Sequence, residues 1–171
     1  KVIIAGDFTS IGGVARGRIA RLNADGALDP TFSDGVGADA PINALALQTD
    51  GKLVIGGEFT NVDGTSRNRI ARLTSLGALD TSFNPGSGAN GVVHAVLSTG
   101  SGIYLGGEFT VVRALPRNGV ARLSSTGGLD SFLSTSSGAN GAVYCLAATN
   151  SFGDTVFVGG AFTTFNGQPR S

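Results

Sequence analysis

Apolar residues in this chain fall in short runs, and none keeps a helical stripe over three turns. Lys1-Val-Ile-Ile4, Leu45-Ala-Leu47 and Leu53-Val-Ile55 are separated by glycine-rich polar stretches. The apolar positions within a run are consecutive rather than alternating, which predicts strands covered on both faces. Tight turns are signalled between the runs by Asp50-Gly51, Asp63-Gly64, Asn166-Gly167 and Gly12-Gly13. The pattern therefore predicts an all-β protein of hairpin-connected antiparallel strands.

The runs recur. Ala5-Gly-Asp-Phe-Thr9 returns as Gly56-Gly-Glu-Phe-Thr60, Gly106-Gly-Glu-Phe-Thr110 and Gly159-Gly-Ala-Phe-Thr163. Phe8, Phe59, Phe109 and Phe162 are thus spaced by 51, 50 and 53 residues. Arg16, Arg67, Arg117 and Arg170 keep the same phase, as do Leu28-Asp29, Leu79-Asp80 and Leu129-Asp130, then Phe32, Phe83 and Phe132. Gly37-Ala-Asp39, Gly88-Ala-Asn90 and Gly138-Ala-Asn140 mark a recurring loop.

Each unit reads as four strands, placed in the second unit at 42–48, 52–59, 68–73 and 78–83. Four short strands in about 40 to 50 residues is the signature of a β-propeller blade. The expected fold is a propeller of four-stranded antiparallel blades, with about three and a half repeats visible. The units are a partial blade of three strands at 1–41, blades at 42–91 and 92–141, and a partial blade of two strands at 142–171. Together they form one propeller domain or part of a larger one. A propeller needs about four blades or more, so a larger chain or self-association is expected to complete the ring. The absence of methionine, even at the start, also fits a piece of a longer chain. A β-trefoil is the alternative fold, ranked lower because three repeats would close it.

The pattern Gly-Gly-Glu-Phe-Thr60, Asp63-Gly, Arg67-Asn-Arg-Ile-Ala-Arg-Leu73 and Gly77-Ala-Leu-Asp-Thr-Ser-Phe83 resembles the delta-60 repeat over essentially the whole chain. That resemblance implies a bacterial β-propeller of undefined biochemical function, within large secreted or cell-surface proteins. It implies no activity and no catalytic residues. The chain departs from the pattern at Gly119, where other units carry arginine, and at Ser131-Phe132, where one residue is missing. Arg113-Ala114 replaces the glycine-containing turn pair, which predicts a different turn there.

Composition narrows the function. Twelve basic and twelve acidic residues cancel, which argues against a nucleic-acid partner. No stretch reaches the roughly 20 apolar residues of a membrane span. Cys145 is the single cysteine, so no intrachain disulfide forms, and its alignment with Ala44 and Ala95 predicts a small buried position. His94 is the single histidine. Without a second histidine, a Cys-x-x-Cys pair or a calcium loop, neither a metal nor another cofactor is expected. Asp34 and Asp39 could hold calcium only weakly, because later units keep neither carboxylate.

Arg21, Arg72 and Arg122 lie inside apolar strand sequence, and a buried charge needs a partner. Asp29, Asp80 and Asp130 recur eight residues later, and Asp7, Glu58 and Glu108 recur in the preceding strand. A structural Arg–carboxylate pair in each blade is favoured over an anion or glycan site, because recurrence in every unit is what a packing device requires. Arg16, Arg67, Arg117 and Arg170 follow the hairpin turn and are expected to be exposed, as a solvated edge or a contact to the next blade rather than an anion-binding ring.

Asn43, His94 and Tyr144 share one position on the first strand and differ in every unit. Repeated positions are scaffold, so variable ones are the candidates for ligand contact. The plainer reading, preferred here, is that they face solvent in the central channel. The expected function is a non-enzymatic extracellular or cell-surface scaffold that binds protein or glycan. A lectin-like carbohydrate-binding module and a structural subunit of a surface fibre are the alternatives, and a hydrolase is disfavoured.

Overall fold

The computed structural model describes residues 1–32, 35–130, 138–149 and 155–170, and its secondary structure there is strand, turn and loop. The first unit holds β1 (Val2–Ala5), β2 (Ser10–Ile11), β3 (Val14–Ala15) and β4 (Ile19–Leu22). The second holds β5 (Ile42–Leu47), β6 (Leu53–Gly57), β7 (Asn61–Val62), β8 (Thr65–Ser66) and β9 (Ile70–Leu73). The third repeats it with β10 (Val93–Thr99), β11 (Gly102–Gly107), β12 (Val111–Val112), β13 (Leu115–Pro116) and β14 (Val120–Leu123). The last holds β15 (Val143–Ala148), β16 (Val156–Gly160), β17 (Thr164–Phe165) and β18 (Gln168–Pro169).

The central units form three-stranded antiparallel sheets, β5-β6-β9 and β10-β11-β14. The expected fourth strand shrinks to one bridge pair per unit: Leu22↔Leu28, Leu73↔Leu79 and Leu123↔Leu129. An aspartate stops it. Asp80 N still donates to Arg72 O, but Asp80 Oδ1 then accepts from Ser82 N at 3.0 Å and curls the chain away from the ladder.

Small hairpins, β2-β3, β7-β8, β12-β13 and β17-β18, interrupt each unit between its second and third main strands. The third unit's turn was expected to differ, and it does not. Arg113 and Ala114 have φ of 53° and 61°, matching Asp63 and Gly64 at 51° and 71°. The register is also that of a two-residue loop, with Val112 opposite Leu115. Arg113 compensates for its left-handed backbone by donating from Nη1 to Asn84 O at 2.6 Å. In the second unit the corresponding Asp63 Oδ1 accepts from Val36 N and Gly37 N.

Both faces of the second strands of the two central units, β6 and β11, are covered, whereas Val2 of β1 and Phe157 of β16 are exposed. Leu53 and Ile55 of β6 belong to one apolar cluster, with Ile19, Phe32 and Phe59. Val54 points the other way into a second cluster, with Phe83, Leu105 and Phe109. A third, smaller cluster gathers Val120, Ala139 and Val143. The core therefore lies between units, and β10 packs against β5 on one side and β15 on the other.

Two polar devices join the units. In the first, a loop residue of one unit clasps the hairpin of the next. Asp39 Oδ1 accepts from Thr60 N and Asn61 N at 2.8 and 3.0 Å, while Oδ2 accepts from Thr60 Oγ1 and Asn61 Nδ2. Asn90 grips Thr110 and Val111 in the same way, and Asn140 grips Thr163 and Thr164. Bridges Ala38↔Val62, Ala89↔Val112 and Ala139↔Phe165 run alongside. The threonines that follow Phe59, Phe109 and Phe162 are thus inter-unit contacts.

In the second device, an arginine of the third main strand sits in a latch. Arg72 Nε donates to Asp80 Oδ2 at 2.9 Å, Nη2 to Ser82 Oγ and Nη1 across to Ser125 O of the next unit at 2.6 Å. Its guanidinium lies 4.9 Å from the Phe83 ring centroid. Arg21 repeats this with Asp29, Thr31, Ser75 O and Phe32. Arg122 pairs with Asp130 and with the hydroxyl and ring of Tyr104. Lys1 and Lys52 add a second cation to Asp29 and Asp80.

Hydrogen bonds hold the clasp carboxylate Asp39 and the latch carboxylates Asp29 and Asp80 well below the usual carboxylate range. Burial raises the Asp39 and Asp80 pKa values, but hydrogen bonds outweigh it: from Asn61 and Thr60 to Asp39, and from Ser82, Lys52 and Arg72 to Asp80. Asp29 is lowered chiefly by Lys1 and Thr31. A depressed carboxylate pKa contributes stability that is fully present above the ordinary value of about 3.9 and is lost progressively as pH falls from there toward the depressed folded-state value. Asp39→Asn should keep the clasp, as Asn90 and Asn140 do, losing only the exposed bond from Asn61 Nδ2. Its thermal unfolding at pH 7 should match the parent within about 0.5 kcal/mol, and its melting temperature should fall less between pH 5 and 3. An equally steep acid limb would show that Asp39 contributes nothing to it.

Arg72 is only 6% exposed, so Arg72→Ala leaves Asp80 with Lys52 as its remaining cationic partner. Urea denaturation should show a loss of about 2–3 kcal/mol, against under about 1 kcal/mol for the half-exposed Arg67→Ala. Equal losses would contradict the latch.

Candidate functional site

The first strand of each later unit carries one residue more than its partner strand matches. Ile42 pairs with Gly57 and Ala44 with Gly56, which leaves Asn43 as the extra residue. The same shift leaves His94 between Val93 and Ala95, and Tyr144 between Val143 and Cys145. Each is a β-bulge, a device that re-aims a side chain out of the regular pleat. The glycine pair explains why the bulge fits. A Cβ on Gly57 would overlap the Pro41 carbonyl, and one on Gly107 the Val92 carbonyl. The first glycine of the two central pairs serves the neighbour: a Cβ on Gly56 would strike the Val93 and Val96 side chains of the next unit, and one on Gly106 the Val143 side chain.

The three bulge residues lie on the adjacent strands β5, β10 and β15, so they form a row. Asn43 is exposed. His94 is half-buried, and its Nε2 lies 3.0 Å from Glu108 Oε1. Its ring meets Tyr144 edge-on, with centroids 5.3 Å apart and planes at 62°. Tyr144 is itself 52% exposed. The row therefore offers an amide, an imidazole oriented by a carboxylate, and an accessible aromatic ring. That set can hydrogen-bond and stack on a polar ligand.

Other candidate residues lie elsewhere. Arg21, Arg72, Arg122, Asp29, Asp80 and Asp130 belong to the latches, on and beyond the third main strands. Of the alternative carboxylates, Asp7 lies 3.6 Å from Arg18 Nε, while Glu108 goes to His94 rather than to Arg122. Arg16, Arg67 and Arg117 are half-buried, contrary to the expectation of exposure, and Arg170 is exposed. In all four, Nη1 folds back onto the carbonyl of the preceding residue. Cys145 is exposed rather than buried, because no described strand covers β15 as β15 covers Ala95. Asp34 and Phe132 lie outside the described residues. Among the described residues no three His, Cys, Asp or Glu side chains gather in a way that could hold a metal ion. No described helix is long and apolar enough to cross a membrane.

The pairing of Glu108 with His94 is the contact that the sequence reading missed. The signal was present in the recurrence of Asp7, Glu58 and Glu108, but placing it against His94 requires knowing of the bulge.

Comparison with protein families gives a match at residues 1–32, 48–83 and 102–132. Those segments hold the second strands, hairpins, third strands and latch aspartates, which are the repeated scaffold. They leave out the bulge row and the clasp loops. No curated protein and no solved structure matches the chain. The matched model is a β-propeller, which favours the propeller expectation over the trefoil. With over half of its length matched, the chain belongs to the β-propeller family described as a domain of unknown function (DUF5122).

Proposed function

We propose that the chain is a non-enzymatic interaction scaffold, built of propeller blades of the delta-60 type, that binds a partner through its bulge row. The supporting observation is that the variable residues Asn43, His94 and Tyr144 all occupy bulges on adjacent first strands. The repeated arginines and aspartates are occupied in latches and clasps, which suits them to folding. In this reading each blade has four strands, the fourth contributing through its single bridge. An extracellular or bacterial cell-surface setting accords with the resemblance to that repeat. A lectin-like role is the second reading, favoured by the half-exposed Tyr144 ring beside His94.

Arrays of extracellular proteins and of glycans would supply a partner, to be titrated against His94→Ala and Tyr144→Ala. At least one variant should bind about tenfold more weakly, with folding stability within about 0.5 kcal/mol of the parent. Unchanged affinity in both would remove the bulge row from the function. A glycan partner would select the lectin-like reading, and ordered polymers with no array partner would replace both with a structural subunit.

A further inference from the structure

Two of the units hold an arginine in a conformation that glycine would adopt more easily. Arg18 and Arg69 have φ of 68° and 65°, a left-handed backbone that costs a non-glycine residue about 1–3 kcal/mol. Their side chains offer compensation. Arg18 Nη1 donates to Ala38 O at 2.7 Å and Arg69 Nη1 to Ala89 O at 3.0 Å, each reaching the loop that leads into the next unit. Arg18 also has Asp7 at 3.6 Å.

The third unit has Gly119 at this position, with φ of 71°. The backbone is the same and the side chain is gone. In its place lies a cavity of about 350 Å³, lined by Glu108, Thr110, Asn118, Gly119, Ala139 and Asn140 among others. Ala139 corresponds in the repeat to Ala38 and Ala89, the residues whose carbonyls receive the arginines. Glu108 corresponds to Asp7. The Asn140 side chain is already committed to Thr163 and Thr164 and cannot turn to a ligand without opening the clasp.

We infer that this cavity is a binding site for a guanidinium group, the arginine side chain of a partner protein or peptide. A guanidinium there would repeat the contact that Arg18 and Arg69 make within the chain. It would donate to the Ala139 carbonyl and face the Glu108 carboxylate. The volume falls at the lower end of small-ligand sites, roughly 300–1,000 Å³. An anion would meet the Glu108 carboxylate, and an apolar group would make neither of these polar contacts. Because Glu108 also holds His94, the cavity adjoins the bulge row. The inference goes beyond the scaffold proposal and fails separately from it, since arginine binding here does not require a contribution from Tyr144 or Asn43.

Isothermal titration with N-acetylarginine amide tests it, with N-acetyllysine amide as the comparison. The parent chain should bind the arginine probe saturably and the lysine probe at least about tenfold more weakly. Gly119→Arg places the group the cavity lacks, at a backbone angle two other units already hold with arginine, and should abolish binding. Glu108→Gln, at a half-exposed position, should weaken it about tenfold and keeps the test decisive if Gly119→Arg does not fold. No saturable binding, equal affinity for the two probes, unaltered affinity in Glu108→Gln, or binding retained by a folded Gly119→Arg would each overturn the site.

Discussion

A sheet that is apolar on both faces cannot be stable by itself. Leu53 and Ile55 need a neighbour on one side of β6, and Val54 needs another on the opposite side. Burial of each such side chain contributes about 1.5–3 kcal/mol, and only while the neighbouring unit is in place. The unit of stability is therefore the junction between repeats. Stability of this kind adds up along the array through nearest-neighbour interfaces.

Apolar contact alone would let adjacent sheets slide, because it has no direction. The clasps and latches supply direction. Asp39, Asn90 and Asn140 each fix a loop of one unit to the hairpin of the next, on backbone N–H groups that can be in one place only. The latch arginines add a fixed reach, from Arg21 to Ser75 O and from Arg72 to Ser125 O. Spending hydrogen bonds on register explains why polar landmarks recur as strictly as apolar ones. It also explains why the clasp accepts either Asp or Asn: both present an acceptor to two adjacent N–H groups.

This division decided what could be read from sequence. The repeat, the strands and the two-sided burial were legible because each leaves a local signature in several copies. The Arg–Asp spacing of eight residues was legible for the same reason. The shortness of the fourth strand was not legible, because Asp80 ends its ladder after one bridge with a side-chain hydrogen bond that strand patterning does not register. The Arg113-Ala114 turn was misread because turn preference is local, whereas its conformation is held by Arg113 reaching Asn84 O. The bulges were invisible. An extra residue shows only against the partner strand, and sequence gives no register.

The bulges also explain why variation is tolerated where it occurs. A bulged residue contributes no pair to the ladder, so its side chain is released from the packing that fixes its neighbours Ile42, Val93 and Val143. Gly119 is released differently, by restoring to a left-handed position the residue that suits it best. At the junction of the third and fourth units the two freedoms coincide. His94 and Tyr144 approach from the bulges, Glu108 stands between His94 and the cavity, and Gly119 has withdrawn the side chain that fills the equivalent space elsewhere. A single departure from a repeat is compatible with drift. Departures that meet in one place, with a carboxylate, an imidazole, an exposed ring and a cavity between them, leave the folding junction intact through Asn140 while altering the surface it presents. That is the arrangement by which a repeated scaffold can acquire a site at one of its junctions without weakening the others.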